Sequence, residues 1–186
     1  MLGYAISASA LAGVMNGCVA EPTSDGITWK PSFLKEDQAS LVAEIAERIM
    51  PATNTPGAKD VGVPQFIDEM LNSYYKPYEK EAFTNGLASF TKSCQEKFSQ
   101  SFEKCSNKQR DELLTEYMKS GKKEDDANKD KEDTPTSFFF MMKELTLLGY
   151  FSSEKVGTEL LNYDPVPGEY IACMPLADVD GKAWTH

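Results

Sequence analysis

Histidine is nearly missing from this chain, and that scarcity removes more chemistry than any other feature of its composition. The single one, His186, stands at the last position, so neither a Ser-His-Asp triad nor a Cys-His pair can be built around it on a rigid scaffold. Cysteine is sparse too. Cys18, Cys94, Cys105 and Cys173 include no C-x-x-C pair, which excludes the usual zinc, c-type haem and ferredoxin signatures. Gly121-Lys122-Lys123 lacks the earlier glycine and the following Ser or Thr of a phosphate-binding loop, and no G-x-G-x-x-G occurs. Basic residues are outnumbered, 19 Lys and Arg against 29 Asp and Glu for a net charge of −10, so nucleic acid is not an expected partner. No apolar run reaches the roughly 20 residues that span a bilayer. The adjacent carboxylates Asp68 and Glu69 diverge around a helix and do not form a glycosidase pair. Metal, cofactor and catalytic sites are therefore not expected in this chain.

What is present is a large apolar content in helical rhythm. Ten Phe and eight Tyr in 186 residues are ample for one packed core. Leu41, Val42, Ile45 and Ile49 mark a first helix that Pro51 stops. Pro51-Ala52-Thr53-Asn54-Thr55-Pro56-Gly57-Ala58 is turn chemistry, and its brevity between two strong helices predicts an ordered loop. A second helix starts near Pro64 with Phe66, Ile67, Met70, Leu71 and Tyr74 on one face. A third, over about 78–100, repeats Phe83, Leu87, Phe90, Cys94 and Phe98 as a core-facing seam. Ser106 and Gln109 form a capping box for a fourth helix with Leu113, Leu114, Tyr117 and Met118. The highly charged stretch 119–133 holds no large apolar residue and is read as an exposed, mobile insertion. Thr134-Pro135 opens a fifth helix with Phe138, Met142, Leu145 and Gly149 on one face and Phe139 and Met141 widening the arc. A short sixth helix covers about 153–162, and the tail from Tyr163 is extended and turn-rich. No alternating strand pattern appears. The expected fold is all-α, one compact helical domain of about six helices over 29–186 with an extended C-terminal tail.

Residues 2–15 form a short apolar stretch rich in Ala, Ser and Gly, followed by Met15-Asn16-Gly17-Cys18. This is signal-segment material over 1–17, and the small residue before Cys18 resembles a bacterial lipobox, with Cys18 as the lipidated first mature residue and 18–28 as a tether. Met15 and Asn16 depart from the usual pattern, and no basic stretch precedes the apolar run; an upstream twin-arginine or Lys/Arg-rich extension is the expected remedy. The competing reading is a buried N-terminal helix.

Several segments, in order, resemble the gluconate 2-dehydrogenase subunit 3 family. They are Ile49-Met50-Pro51-Ala52-Thr53-Asn54-Thr55-Pro56-Gly57-Ala58, Val61-Gly62-Val63-Pro64 with Phe66-Ile67-Asp68, Phe83-Thr84-Asn85-Gly86-Leu87, Phe138-Phe139 with Lys143-Glu144-Leu145-Thr146, Gly149-Tyr150-Phe151 with Ser153-Glu154, and Tyr163, Pro167-Gly168-Glu169-Tyr170 and Cys173. The likeness spans about 33–175. It implies a small periplasm-facing subunit without a cofactor of its own, supporting export and stability of a large FAD-dependent dehydrogenase of sugars or polyols, often beside a membrane cytochrome subunit. With a lipid anchor at Cys18, the implied location is the periplasm, at the membrane.

If Cys18 is lipidated, three cysteines remain in an oxidising compartment, an odd number that points to an intermolecular bond or a free thiol. Cys173, in a non-helical tail that the resemblance lays against the large subunit, is the candidate for an intersubunit disulfide; a buried or unpaired thiol is the other reading. Cys94 and Cys105 either close a loop between the third and fourth helices or pack as thiols. Tyr150, Phe151 and Tyr170, read as lying in turns, are the candidate partner contacts, since exposed aromatic residues anchor interfaces. Two functional classes compete: the accessory subunit, and a free-standing periplasmic lipoprotein binding a small ligand between its helices.

Overall fold

The computed structural model describes residues 27, 29–131, 133–164, 166, 168–169 and 171–184. The expected signal segment, Cys18, Tyr170 and His186 lie outside them. The helices are α1 Glu36–Ile49, α2 Val63–Ser73, α3 Pro77–Phe98, α4 Asn107–Asn128, α5 Phe138–Phe151 and a short π turn, α6, Val156–Leu160. Single 3-10 turns occur at Phe102–Lys104 and Leu176–Val179. The fold is all-α; the described residues contain one isolated bridge, between Asn162 and Trp184.

The punctuation follows local chemistry. Gly62 has a φ of 75°, a left-handed conformation that a side chain would disfavour, and it leads the chain into α2. Pro77 opens α3 at the first helical position, where its missing N–H costs nothing. The capping box at α4 forms as expected: Gln109 Oε1 accepts from the Ser106 N–H at 2.9 Å, and the Gln109 N–H donates to Ser106 Oγ at 3.4 Å.

Helix α5 is apolar around most of its circumference, and such a helix must be covered on several sides. It packs against α1, α2, α3 and α4. Phe138, Phe139, Met141, Met142, Leu145, Thr146, Gly149 and Tyr150 are all buried. The α3 seam meets it: Phe83, Leu87, Phe90 and Cys94 are buried, and the Phe83 and Phe138 rings meet edge to face at 5.4 Å. The close approach depends on Gly86, where a Cβ would overlap the Phe138 side chain. At about 1.5–3 kcal/mol per buried large side chain, this seam outweighs the surface ion pairs, each about 0–1 kcal/mol.

The N-terminal segment is tied down by one carboxylate. Asp68, almost fully buried on α2, accepts the N–H groups of Ser32 at 2.6 Å, Phe33 at 3.1 Å and Leu34 at 2.7 Å. Ile27 and Leu34 are buried in the core.

Two expectations are corrected. Residues 119–128 are not a mobile insertion but nearly three further turns of α4. Gly121 is buried against Ser137 and Phe140, and Asp125 accepts both the Ser137 N–H, at 2.7 Å, and its hydroxyl, at 3.0 Å. The charged stretch is thus ordered by contacts to the start of α5, with mostly helix-tolerant residues between them. For the same reason α5 begins at Phe138 with Ser137 as its cap, not at Thr134-Pro135. Beyond α6 the chain folds back, with the Asn162 N–H donating to the Ala183 carbonyl at 2.7 Å.

Candidate partner-binding face

The loop 51–58 is exposed on one side and held from the other. Residues 51–55 are exposed, whereas Gly57 and Ala58 are buried. Glu47, near the end of α1, bridges the two ends of the loop: its carboxylate accepts the Ala52 N–H at 2.9 Å and the Lys59 N–H at 3.0 Å. Gly57 is needed for this, because a Cβ there would overlap the Glu47 carboxylate. Asp60 accepts the Gly57 N–H at 2.8 Å, and the Ala58 N–H donates to the Met50 carbonyl at 2.8 Å. The expectation of an ordered loop holds.

Tyr150 completes the support and corrects its expected placement. It lies within α5 rather than in a turn and is 3% exposed. Its hydroxyl donates to the Pro56 carbonyl at 2.8 Å. Helix α5 runs one residue past it, so its ring faces the core and only its hydroxyl reaches the loop. It braces the surface from within. Phe151 does face solvent, 47% exposed, with its ring against that of Tyr150 at 5.3 Å.

From Phe151 an apolar stripe runs back along a side of α5 that the other described residues leave uncovered. Phe140, Leu147, Leu148 and Phe151 fall at i, i+7, i+8 and i+11, on one helical face. With Asp125, Thr136, Lys143 and Glu144 they line a groove of about 640 Å³. Leu148 is half exposed. The sequence reading missed this stripe, although Lys143 and Glu144, the charged residues of α5, fall on the same side and mark it as the exposed one. Glu47 gives no such signal, because its partners are backbone N–H groups of the loop, which residue spacing does not encode.

The cysteines separate into two kinds. Cys173 is exposed, with a φ of 53°. Cys94 and Cys105 are both buried, with their sulfurs 3.6 Å apart. Burial, reinforced by the Cys105 neighbour, pushes the Cys94 thiol up to about 12. Among the described residues no group of three His, Cys, Asp or Glu side chains is placed to hold a metal ion. None of their helices is long and apolar enough to cross a membrane.

The described residues thus present a braced loop and an apolar groove along α5, and comparison with known proteins gives the chain a family. The model of gluconate 2-dehydrogenase subunit 3 matches residues 36–168, which include the loop, its braces and the stripe. This chain belongs to the gluconate 2-dehydrogenase subunit 3 family. No curated protein and no solved structure matches it. As a family member the chain is a subunit by name, and within the matched region both Glu47 and Tyr150 act on the Pro-Ala-Thr-Asn-Thr-Pro-Gly-Ala segment.

Proposed function

We propose that this chain is the non-catalytic small subunit that supports export, stability and membrane association of a large FAD-dependent dehydrogenase acting on sugars or polyols. The observation behind the reading is the family match over residues 36–168. The face built by loop 51–58, Phe151 and the α5 stripe is where the large subunit docks. A braced loop loses little conformational freedom on binding, and an apolar stripe supplies the buried centre that interfaces need. FAD belongs to the large subunit, and a membrane cytochrome is a further member of the assembly. Cys18 holds the complex at the periplasmic membrane surface through its lipid, and the exposed Cys173 joins the large subunit through a disulfide. The small-ligand reading is less well supported. The groove's surface is mostly apolar, from Phe140, Leu147, Leu148 and Phe151, and of its polar lining residues Asp125 is already engaged by Ser137, which leaves few groups to orient a metabolite.

The test is recovery of the flavoprotein from detergent-solubilised membranes by tagged small subunit. The double variant Leu148→Ala, Phe151→Ala is expected to lower affinity at least tenfold, since two interface anchors worth more than about 1 kcal/mol each exceed the 1.4 kcal/mol of a tenfold change. Its thermal midpoint should stay near that of the wild type, because both side chains are half exposed. Undiminished recovery of flavin would sink the docking assignment.

A further inference from the structure

Cys94, in the last turns of α3, and Cys105, just before the cap of α4, flank the connection between the two helices, eleven residues apart in sequence and 3.6 Å apart at sulfur. Their placement is heavily determined. Phe102, in the 3-10 turn just before Cys105, packs edge to face on Phe90 of α3 at 5.2 Å. Arg110 clamps the turn from α4: Nε donates to the Cys105 carbonyl at 3.1 Å, Nη2 to the Glu103 carbonyl at 2.6 Å, and the guanidinium lies 5.3 Å from the centre of the Phe102 ring. The same guanidinium pairs with Glu44 on α1 at 3.0 Å. Gln100 occupies the middle of the connection, its carbonyl facing Cys94 Sγ at 3.5 Å and its amide facing Cys105 Sγ at 3.6 Å. A turn held this way gives each sulfur one sulfur neighbour and leaves little freedom to avoid it.

We propose that Cys94 and Cys105 form an intramolecular disulfide, a covalent clip that fixes the α3–α4 connection. Closing to the bond length of about 2.05 Å asks the two sulfurs to approach by roughly 1.5 Å, within reach of small side-chain rotations. The chemistry is thiol–disulfide exchange. One thiolate attacks an external disulfide, either oxidised glutathione or the disulfide of a thiol oxidoreductase, and releases one thiol. The second cysteine then attacks the mixed disulfide, releasing the other thiol and forming the Cys94–Cys105 bond. Overall the two cysteines lose two electrons and two protons, and the external disulfide gains them. Burial of both sulfurs and the high Cys94 value make the folded dithiol a slow nucleophile. The clip therefore closes during folding and, once buried, resists reduction. It is a structural bond, not a rapid switch. Only the compartment in which it forms rests on the export reading above.

The experiment uses the full chain carrying Cys173→Ser, refolded from denaturant in glutathione buffers of graded ratio, quenched with acid and alkylated with N-ethylmaleimide in denaturant. Trypsin separates the two sites, giving segments 93–97 and 105–108. Expected are these two segments joined, free of maleimide, with a population that falls as the square of reduced glutathione over oxidised glutathione. The oxidised protein should melt about 5–10 °C above the reduced one, and dithiothreitol should reduce it far faster in denaturant than in buffer. Maleimide or glutathione on both segments under oxidising conditions would overturn the proposal, as would equal melting temperatures. The double variant Cys94→Ala, Cys105→Ala should show no redox-dependent shift in melting; a shift that persists there also overturns the assignment. A bond that forms in buffer while cells yield the dithiol would refute export and leave the pair standing.

Discussion

Replacing Asp68 is the sharpest test of how the N-terminal segment is attached. The carboxylate accepts three backbone N–H groups from consecutive residues. In Asp68→Ala these donors do not suffer alike. The Leu34 N–H is in a buried residue and has no water to replace the carboxylate, whereas Ser32 is exposed and Phe33 half-buried. An orphaned buried donor costs about 1–3 kcal/mol, and hydrogen bonds to a charged acceptor contribute about 1.5–3 kcal/mol each. Allowing Ser32 and most of Phe33 to rehydrate, the sum is about 3–5 kcal/mol, or roughly 8–15 °C in melting temperature for a chain of this size. Asp68→Asn should cost less, about 1–2 kcal/mol. Its carbonyl oxygen can keep Phe33 and Leu34, while its amide opposes the Ser32 N–H. Urea unfolding followed by circular dichroism measures the ranking, and trypsin reports its origin, because cleavage after the exposed Lys35 should accelerate in both variants and most in Ala. A loss below about 1 kcal/mol for Asp68→Ala, or Asn and Ala variants of equal stability, would refute the reasoning.

Three further outcomes follow from single contacts. Tyr150→Phe keeps the buried ring and removes the hydroxyl from the Pro56 carbonyl, so stability should fall by about 1 kcal/mol, with faster amide exchange concentrated in 51–58. Gly86→Ala gains helix propensity but drives a methyl into Phe138; overpacking of this kind costs about 1–3 kcal/mol, and a net loss should appear in the urea midpoint. Arg48 holds the Asp111 carboxyl below its ordinary value of 3.8, chiefly through their hydrogen bonds. The contribution of this pair is then present in full above that ordinary value and is lost as the pH falls through the lower folded one. Asp111 is largely exposed, so the stability gap between wild type and Asp111→Asn should be at most about 1 kcal/mol at neutral pH, shrink with salt and vanish in strong acid.

The parts of the fold that were legible in sequence are those whose cause is local. The α3 seam of Phe83, Leu87, Phe90 and Cys94 follows from a spacing of three and four, and the Ser106–Gln109 cap from two residues three apart. Residues 119–128 failed because their order has a distant cause. Their composition alone cannot bury enough surface, but Asp125 reaches across to Ser137, and that bond exists only once α5 is in place. The two cysteines were ambiguous on similar grounds. Cys94 belongs to the apolar seam and would be buried with or without a partner, and what brings Cys105 to it is the clamp of Arg110 and Phe102 on an intervening turn, which spacing does not encode.

Tyr150 shows what such a boundary error does to a functional argument. Helix ends are uncertain by a residue or two from sequence, and placing Tyr150 inside α5, which runs to Phe151, rather than in a turn makes it an internal brace instead of an exposed contact. The two aromatic neighbours then have different duties and respond to different experiments. Loss of Tyr150 should act through the loop, since its hydroxyl joins Glu47, Asp60 and the Met50 carbonyl in holding 51–58 in one shape. Loss of Phe151 should act on binding alone. If the loop is the docking face proposed above, its order depends on α1 and α5 together and is not preserved by grafting the loop by itself. The segment Pro-Ala-Thr-Asn-Thr-Pro-Gly-Ala, cut from its carboxylate and its hydroxyl, would have to regain on binding the order that those two groups supply.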